Sequence, residues 1–278
     1  MDKQLAGNRL SPQELLRRAG LAVEQQPRSL AGGSMGQVWQ LGNYVVKTHP
    51  AAPAQLFSAE KRGLEELAAT GVRTPQVYWA GPEGIIMSYL PPGPSSWSEL
   101  AIMLARLHKA QRQQYETTGP TFIGSLALAQ GNDHNWQRYW TEKRLLPLIE
   151  QTSNLLGELM IPLRKFVLTY NWPAEAPVLI HGDLWNGNVL MSAGGPALID
   201  PSSWVGERAV DLAMMRLFGG FPDEFWQVYD EIFPIPTEVE DALVAYQIYF
   251  LLIHIYFFGT SYLPPLYRIL KSYKVTLR

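Results

Sequence analysis

The stretch Val178-Leu179-Ile180-His181-Gly182-Asp183-Leu184-Trp185-Asn186-Gly187-Asn188-Val189-Leu190, with Ala197-Leu198-Ile199-Asp200 after it, decides how the chain is read. Two short apolar runs bracket a polar loop, and a third run ends in an aspartate. The pattern predicts strands over Val178–Ile180, Val189–Met191 and Ala197–Ile199. Phosphoryl transfer asks little covalent chemistry of a protein and much positioning. One carboxylate must orient the attacking hydroxyl and accept its proton. A neutral oxygen and a second carboxylate must hold magnesium, which takes hard oxygen ligands, against the phosphates. The loop nominates Asp183 for the first task, and Asn188 and Asp200 for the second. His181 is expected to brace the loop by hydrogen bonding. A hairpin that merely favours Asp and Asn in its turn is the plain alternative. The combined spacing argues against it.

Asp183 and Asn188 stand five residues apart, a spacing similar to that of a kinase catalytic loop. Such a loop needs a phosphate cradle, a lysine and a partner for the lysine, and the upstream sequence offers all three. Gly32-Gly33-Ser34-Met35-Gly36 lies between two expected strands, where glycines let backbone N–H groups approach phosphate oxygens. Lys47 ends the apolar run Tyr44-Val45-Val46 in the expected strand Tyr44–Thr48, and Glu60 follows in a helix expected over about 53–70. A Lys47–Glu60 ion pair would aim the lysine at the phosphates; Glu65 and Glu66 are the rival partners. Met87, Ser88, Tyr89 and Leu90 are read as the hinge whose backbone binds adenine. The break at Pro91-Pro92-Gly93-Pro94 ends a small β-rich lobe, residues 1–90. Residues 91–278 are expected to be mainly helical, with single helices over Trp136–Gln151 and Asn154–Tyr170 and helices from Glu207 onward. The fold class is α+β and bilobal, with a small antiparallel lobe carrying one helix, a larger helical lobe, and ATP between them.

Ten residues separate Asp200 from Asp211. A protein kinase needs a longer segment there for a peptide substrate and a regulatory phosphosite, and Gly182 stands where many of them carry a phosphate-pairing arginine. The acceptor is therefore expected to be a small molecule. Asp211 is expected to support the catalytic loop from a helix start. Between Asp200 and Asp241 there are ten acidic residues and two basic ones, which could form an acidic rim for a cationic, amine-bearing substrate.

Composition bounds the remaining readings. The 278 residues are 47% hydrophobic and 17% charged, with net charge −2 and no cysteine. That excludes disulfides, thiolate chemistry and thiolate metal sites. It offers no global basic field for nucleic acid. The first residues lack the apolar core of a secretory signal. The uncharged run from Ala242 to Tyr267 is read as a buried core helix rather than a membrane span, because Tyr246, Gln247, His254 and Pro264-Pro265 interrupt it. No membrane partner is expected, and the setting is a reducing cytoplasm.

The chain resembles the fructosamine kinase (ketosamine kinase) family, a branch of the aminoglycoside/choline phosphotransferase-like kinases. The resemblance rests on Gly32-Gly33-Ser34, Val46-Lys47, Glu60-x-x-Gly63-Leu64 and Phe122-Ile123-Gly124-Ser125-Leu126. It also rests on Trp136-x-x-Tyr139-Trp140, Arg144-Leu145-x-Pro147, the stretch from His181 to Asn188, and the run from Asp211 to Phe221. It implies ATP- and magnesium-dependent phosphorylation of a sugar hydroxyl in ketosamines, followed by breakdown of the adduct, which is deglycation. Bacterial-type members are thought to prefer ribulosamines or erythrulosamines to fructosamines. It also implies that Trp185 lines the sugar pocket and that His254 contacts substrate; core packing is the alternative for both. The chain departs from the family pattern at Gly206-Glu207-Arg208-Ala209-Val210-Asp211. It departs again in the late helix, where His254 alone remains of two Asn-His pairs. Kinases of other small hydroxylated amines or sugars, and a nucleotide-binding pseudokinase, are the competing readings.

Overall fold

The computed structural model describes residues 10–21, 24–30, 36–49 and 51–276. Helix α1 (Pro12–Arg18) begins with a reciprocal cap. Glu14 N donates to the Ser11 hydroxyl at 3.3 Å, and Ser11 N donates to the Glu14 carboxylate. Strands β1 (Arg28–Leu30), β2 (Gln37–Leu41) and β3 (Tyr44–Thr48), helix α2 (Leu56–Ala69), and strands β4 (Val77–Gly81) and β5 (Gly84–Ser88) follow. The strands form one antiparallel sheet in the order β1-β2-β3-β5-β4. Side chains alternate across it. Val46 and Ile86, paired in register, pack with Leu15, Leu16 and Leu41 on the α1 side. Ile85 and Met87 pack with Phe57 and Leu64 on the α2 side. The two helices thus cover opposite faces of the sheet.

The rest of the chain comprises α3 (Trp97–Lys109), β6 (Tyr115–Thr117), β7 (Phe122–Ile123), β8 (Leu126–Ala127), β9 (Gly131–Asp133) and α4 (Trp136–Trp140). A π-helical turn, Thr141–Leu145, leads to α5 (Leu146–Gln151), α6 (Ser153–Leu156), a 3₁₀ turn and α7 (Met160–Thr169). Next come β10 (Val178–Ile180), β11 (Val189–Ser192), β12 (Gly195–Leu198) and β13 (Trp204–Gly206). Helices α8 (Arg208–Phe218), α9 (Asp223–Ile232), α10 (Thr237–Phe258) and α11 (Leu263–Ser272) complete it.

Three expectations are corrected here. First, β6, β9 and β13 join β10 in a four-stranded antiparallel sheet, order β10-β13-β6-β9, and β7 and β8 form a hairpin. These strands have three residues or fewer, too short for alternation to register. Second, the helix expected over Trp136–Gln151 carries the π turn. Pro147 has no N–H to offer the Lys143 carbonyl, and Arg144 Nη1 donates to that carbonyl at 2.9 Å instead. Third, the helix expected over Asn154–Tyr170 is broken at Gly157, whose φ of 54° lies outside the right-handed helix.

The run Thr237–Ser272 is long and apolar enough to cross a membrane by length and composition: an 18-residue window within it has mean hydropathy 1.7, and 61% of that window is buried inside the protein. Helix α10 packs against α8, α5 and α11. An all-round apolar helix in the middle of a helical layer is a core helix. Leu67 and Val72, upstream of the proline linker, belong to the same large core. The C-terminal end of α2 and the residues after it therefore reach into the interior of the helical part, while the sheet keeps two smaller clusters of its own.

Candidate active site

The loop from His181 to Asn188 hangs from the end of β10 and is held from below by α8. Asp211, fully buried in the first turn of α8, accepts His181 N and Gly182 N at 2.8 Å each, one on either oxygen. Gly182 has φ +79°, and a Cβ there would lie 2.2 Å from the Ser202 carbonyl. Glycine is required by the backbone, whatever its bearing on regulation. The buried His181 ring accepts Asp183 N at Nδ1 (3.3 Å), so its Nε2 donates to the Ile199 carbonyl (2.9 Å). Burial lowers its pKa, which keeps it a neutral brace. Asn188 Nδ2 donates to the Asp183 carbonyl at 2.7 Å and to its carboxylate at 3.3 Å. Burial and the charge of Asp200 push the Asp183 carboxyl up to about 7, with the Asn188 donor acting against them.

Lys47 reaches the site from β3. Its Nζ lies 3.0 Å from Glu60 Oε2 and 3.0 Å from Asp200 Oδ1. The carboxylates raise the ammonium's pKa although burial opposes them. Of the two acids, burial holds Glu60 above the usual carboxylate range, whereas Lys47 draws Asp200 below it against burial. The rival partners face elsewhere: Glu65 pairs with Lys61 and Glu66 approaches Arg62. Asp200 adopts φ 54°, a left-handed conformation that aspartate tolerates better than most residues. Helix α2 approaches the following segment closely. A Cβ on Gly63 would meet Pro201 Cγ at 3.1 Å and Ser203 Oγ at 3.3 Å.

Asp183, Asn188, Asp200, Lys47 and Glu60 line one cavity of about 190 Å³, together with Gly36, His49 and Trp185. Gly36 lies so close to Thr48 that a Cβ would sit 2.9 Å from its carbonyl. Trp185 is 42% exposed, so it borders the cavity instead of filling the core. Lining residues that the sequence reading did not nominate include Arg62, Thr121, Phe122 and Gly124. Phe122 and Gly124 appeared there only within the Phe122–Leu126 signature, which carries no charge or spacing that marks a site.

Gly32, Gly33 and Ser34 fall outside the described residues. Met87, Ser88, Tyr89 and Leu90 do not line the cavity. Two of their amides are committed, Ser88 N to the Gln76 carbonyl and Tyr89 N to the Asn43 carbonyl, both at 2.8 Å. Met87 lies within the β5 ladder, and among the described residues the amide of Leu90 has no backbone partner. His254 also stands away from the cavity. Its Nδ1 donates to the Phe250 carbonyl at 2.7 Å, and Phe218, Phe258 and Tyr262 surround its ring. The acidic rim is not observed as a rim: Glu207 and Asp211 are buried, and Glu240 pairs with Arg216. Of the ten acids only Asp200 lines the cavity.

The donors suit magnesium. With its Nδ2 turned to Asp183, Asn188 presents Oδ1 with no hydrogen-bond partner among the described residues, and Asp200 supplies a carboxylate. Among the described residues no cluster of three His, Asp or Glu side chains could hold a metal. A site of two protein oxygens, completed by phosphates and water, is the arrangement magnesium favours.

Sheet, helical part and intervening cavity define a protein-kinase-like phosphotransferase fold. An ADP-bound aminoglycoside phosphotransferase shares it with a TM-score of 0.58, at 14% identity, over 94% of this chain and 96% of that one. A crystal structure of a "putative fructosamine-3-kinase" from Thermobifida fusca superposes with a TM-score of 0.76 at 26% identity, over 89% of this chain and 92% of that chain. A "probable ketoamine kinase" of Thermus thermophilus is 48% identical over 263 residues, 95% of this chain and 100% of that protein. A family model described as fructosamine kinase matches residues 12–275. The chain belongs to the fructosamine kinase family.

Proposed function

We propose that this chain transfers the γ-phosphoryl group of ATP to a sugar hydroxyl of a ketosamine, in deglycation of amines or proteins within the cytoplasm. The observation that carries the reading is the single cavity in which Asp183, Lys47, Asn188 and Asp200 meet an exposed tryptophan. Asp183 lies where it can orient an acceptor hydroxyl and take its proton, and a carboxyl near 7 is a better base than an ordinary one. Lys47, fixed between Glu60 and Asp200, is preset to meet phosphate oxygens. Asn188 Oδ1 and Asp200 would hold magnesium, which when bound neutralises charge on the phosphates. The Leu90 amide is the donor left for adenine. Trp185 offers a flat apolar face to the sugar.

The test is ATP consumption with magnesium against ribulosyl-lysine, erythrulosyl-lysine, fructosyl-lysine, free lysine, ribose, an aminoglycoside and choline, with Asp183→Asn as control. Turnover of a ketosamine that the variant loses supports the reading. Turnover of other acceptors alone removes the deglycation role and keeps the phosphotransferase.

A further inference from the structure

One wall of the cavity comes from neither the catalytic loop nor the phosphate-binding strands. It is the segment 119–124, of which Thr121, Phe122 and Gly124 line the cavity. The segment is tied to α2 by one side chain. Arg62 Nη2 donates to the Pro120 carbonyl and to the Thr121 hydroxyl, the latter at 3.1 Å. Gly119 has φ +67°, and a Cβ there would lie 2.7 Å from Arg62 Nη1, so glycine lets the chain close over the guanidinium. Downstream, Leu128 N donates to the Thr121 carbonyl at 2.8 Å, and Ile123, Leu126 and Leu128 are buried in the large core. Phe122, between these anchors, is only half-buried.

The same helix therefore acts twice. Glu60 fixes Lys47 for the phosphates, and Arg62 fixes a wall beside them. A planar guanidinium donating to a carbonyl and a hydroxyl of adjacent residues sets orientation as well as distance. The wall carries an aromatic ring into a cavity that already holds Trp185, and sugars present an apolar C–H face that aromatic rings cover well. Resting on the reading of this cavity as the acceptor site, we propose that Arg62 is a positioning residue. It holds residues 119–124 as the acceptor wall, so that Phe122 and Trp185 together receive the C–H face of the acceptor sugar.

The test compares Arg62→Ala, Arg62→Lys, Phe122→Leu and the Arg62→Ala/Phe122→Leu double variant with the parent. Phe122→Leu and Arg62→Ala should each raise the acceptor KM about ten-fold, the size of effect that lost pocket contacts produce. The ATP KM should stay within about two-fold, since uniform binding is lost on the acceptor side alone. The double variant should match the worse single variant, because both changes disable one wall. Arg62→Lys should restore part of the effect, since an ammonium can still reach the Pro120 carbonyl. Hydrogen exchange over 119–128 should quicken about ten-fold in Arg62→Ala with 181–190 unchanged, the signature of a locally released segment. A raised ATP KM in Arg62→Ala, additive effects, or unchanged exchange would each overturn the proposal. A parent that turned over no ketosamine would sink the deglycation reading instead, and the exchange measurement would still decide whether Arg62 clamps the wall.

Discussion

Asp183 sits where burial and the neighbouring charge of Asp200 both disfavour its ionised form. On the proposed reading the same burden makes it a useful base and a costly one. Above about pH 7 the folded protein holds this carboxylate ionised against its environment, which the unfolded chain does not have to do. Asp183→Asn removes the charge and keeps the shape, and the new amide oxygen can still accept Asn188 Nδ2. It is expected to stabilise the protein at pH 8 by on the order of 1 kcal/mol while lowering turnover by about 10²- to 10⁴-fold. Urea unfolding and acceptor-dependent ATP consumption would check the two halves separately. A loss of stability in the variant would mean that the carboxylate is held by favourable contacts. Gly182 is a residue of the opposite kind, needed for its missing side chain. Gly182→Ala would drive a methyl into the Ser202 carbonyl at 2.2 Å from a positive φ. A destabilisation of about 1–3 kcal/mol and loss of activity should follow, read from melting and turnover.

Helix α8 holds the catalytic loop through two hydrogen bonds to one carboxylate, and this coupling is open to test. Asp211→Asn leaves a single acceptor oxygen for His181 N and Gly182 N, so one buried N–H loses its partner. A cost of about 1–3 kcal/mol is expected, and kcat should fall more than ATP affinity, because the displaced loop carries Asp183. Equal losses in both would point to general unfolding. At this scale the sequence was informative where an element announces itself by charge or period. Lys47 and Glu60 could be paired from their places on a strand and the next helix, and the strands around Asp183 from their apolar runs. The elements it did not disclose lack such marks. Strand β9 is Gly131-Asn132-Asp133, polar throughout, and exists because β6 lies beside it. Phe122 stands in the sequence only as part of the Phe122–Leu126 signature, and the fold brings its hairpin to the cavity. The backbone partners of the expected hinge could not be read from the sequence, since Gln76 and Asn43, which take the amides of Ser88 and Tyr89, are distant in sequence.

Across the whole molecule, acids buried against their preference tie stability to pH. Glu207 is the best isolated of them. It stands between β13 and α8, 1% exposed, accepting the Tyr115 hydroxyl and Glu175 N, with the Glu175 carboxylate committed to Arg208. Burial is the largest influence on its carboxyl and pushes it up to about 7 from the ordinary 4.5, against the donors that face it. The folded form thus binds a proton that the unfolded form has lost over this interval. The stability from the protonated acid is complete below about pH 4.5 and is lost as pH rises through about 7. Unfolding free energy should decline over that range by at most about 1.4 kcal/mol per pH unit for this one proton. Glu207→Gln imitates the protonated acid at every pH, with Tyr115 oxygen free to accept from the new amide. Urea titrations at about pH 5, 6 and 7 should show the parent falling more steeply than the variant, with the difference vanishing toward the acid end. Parallel curves would mean that Glu207 stays ionised throughout, held by Tyr115 and the Glu175 amide strongly enough to offset its burial.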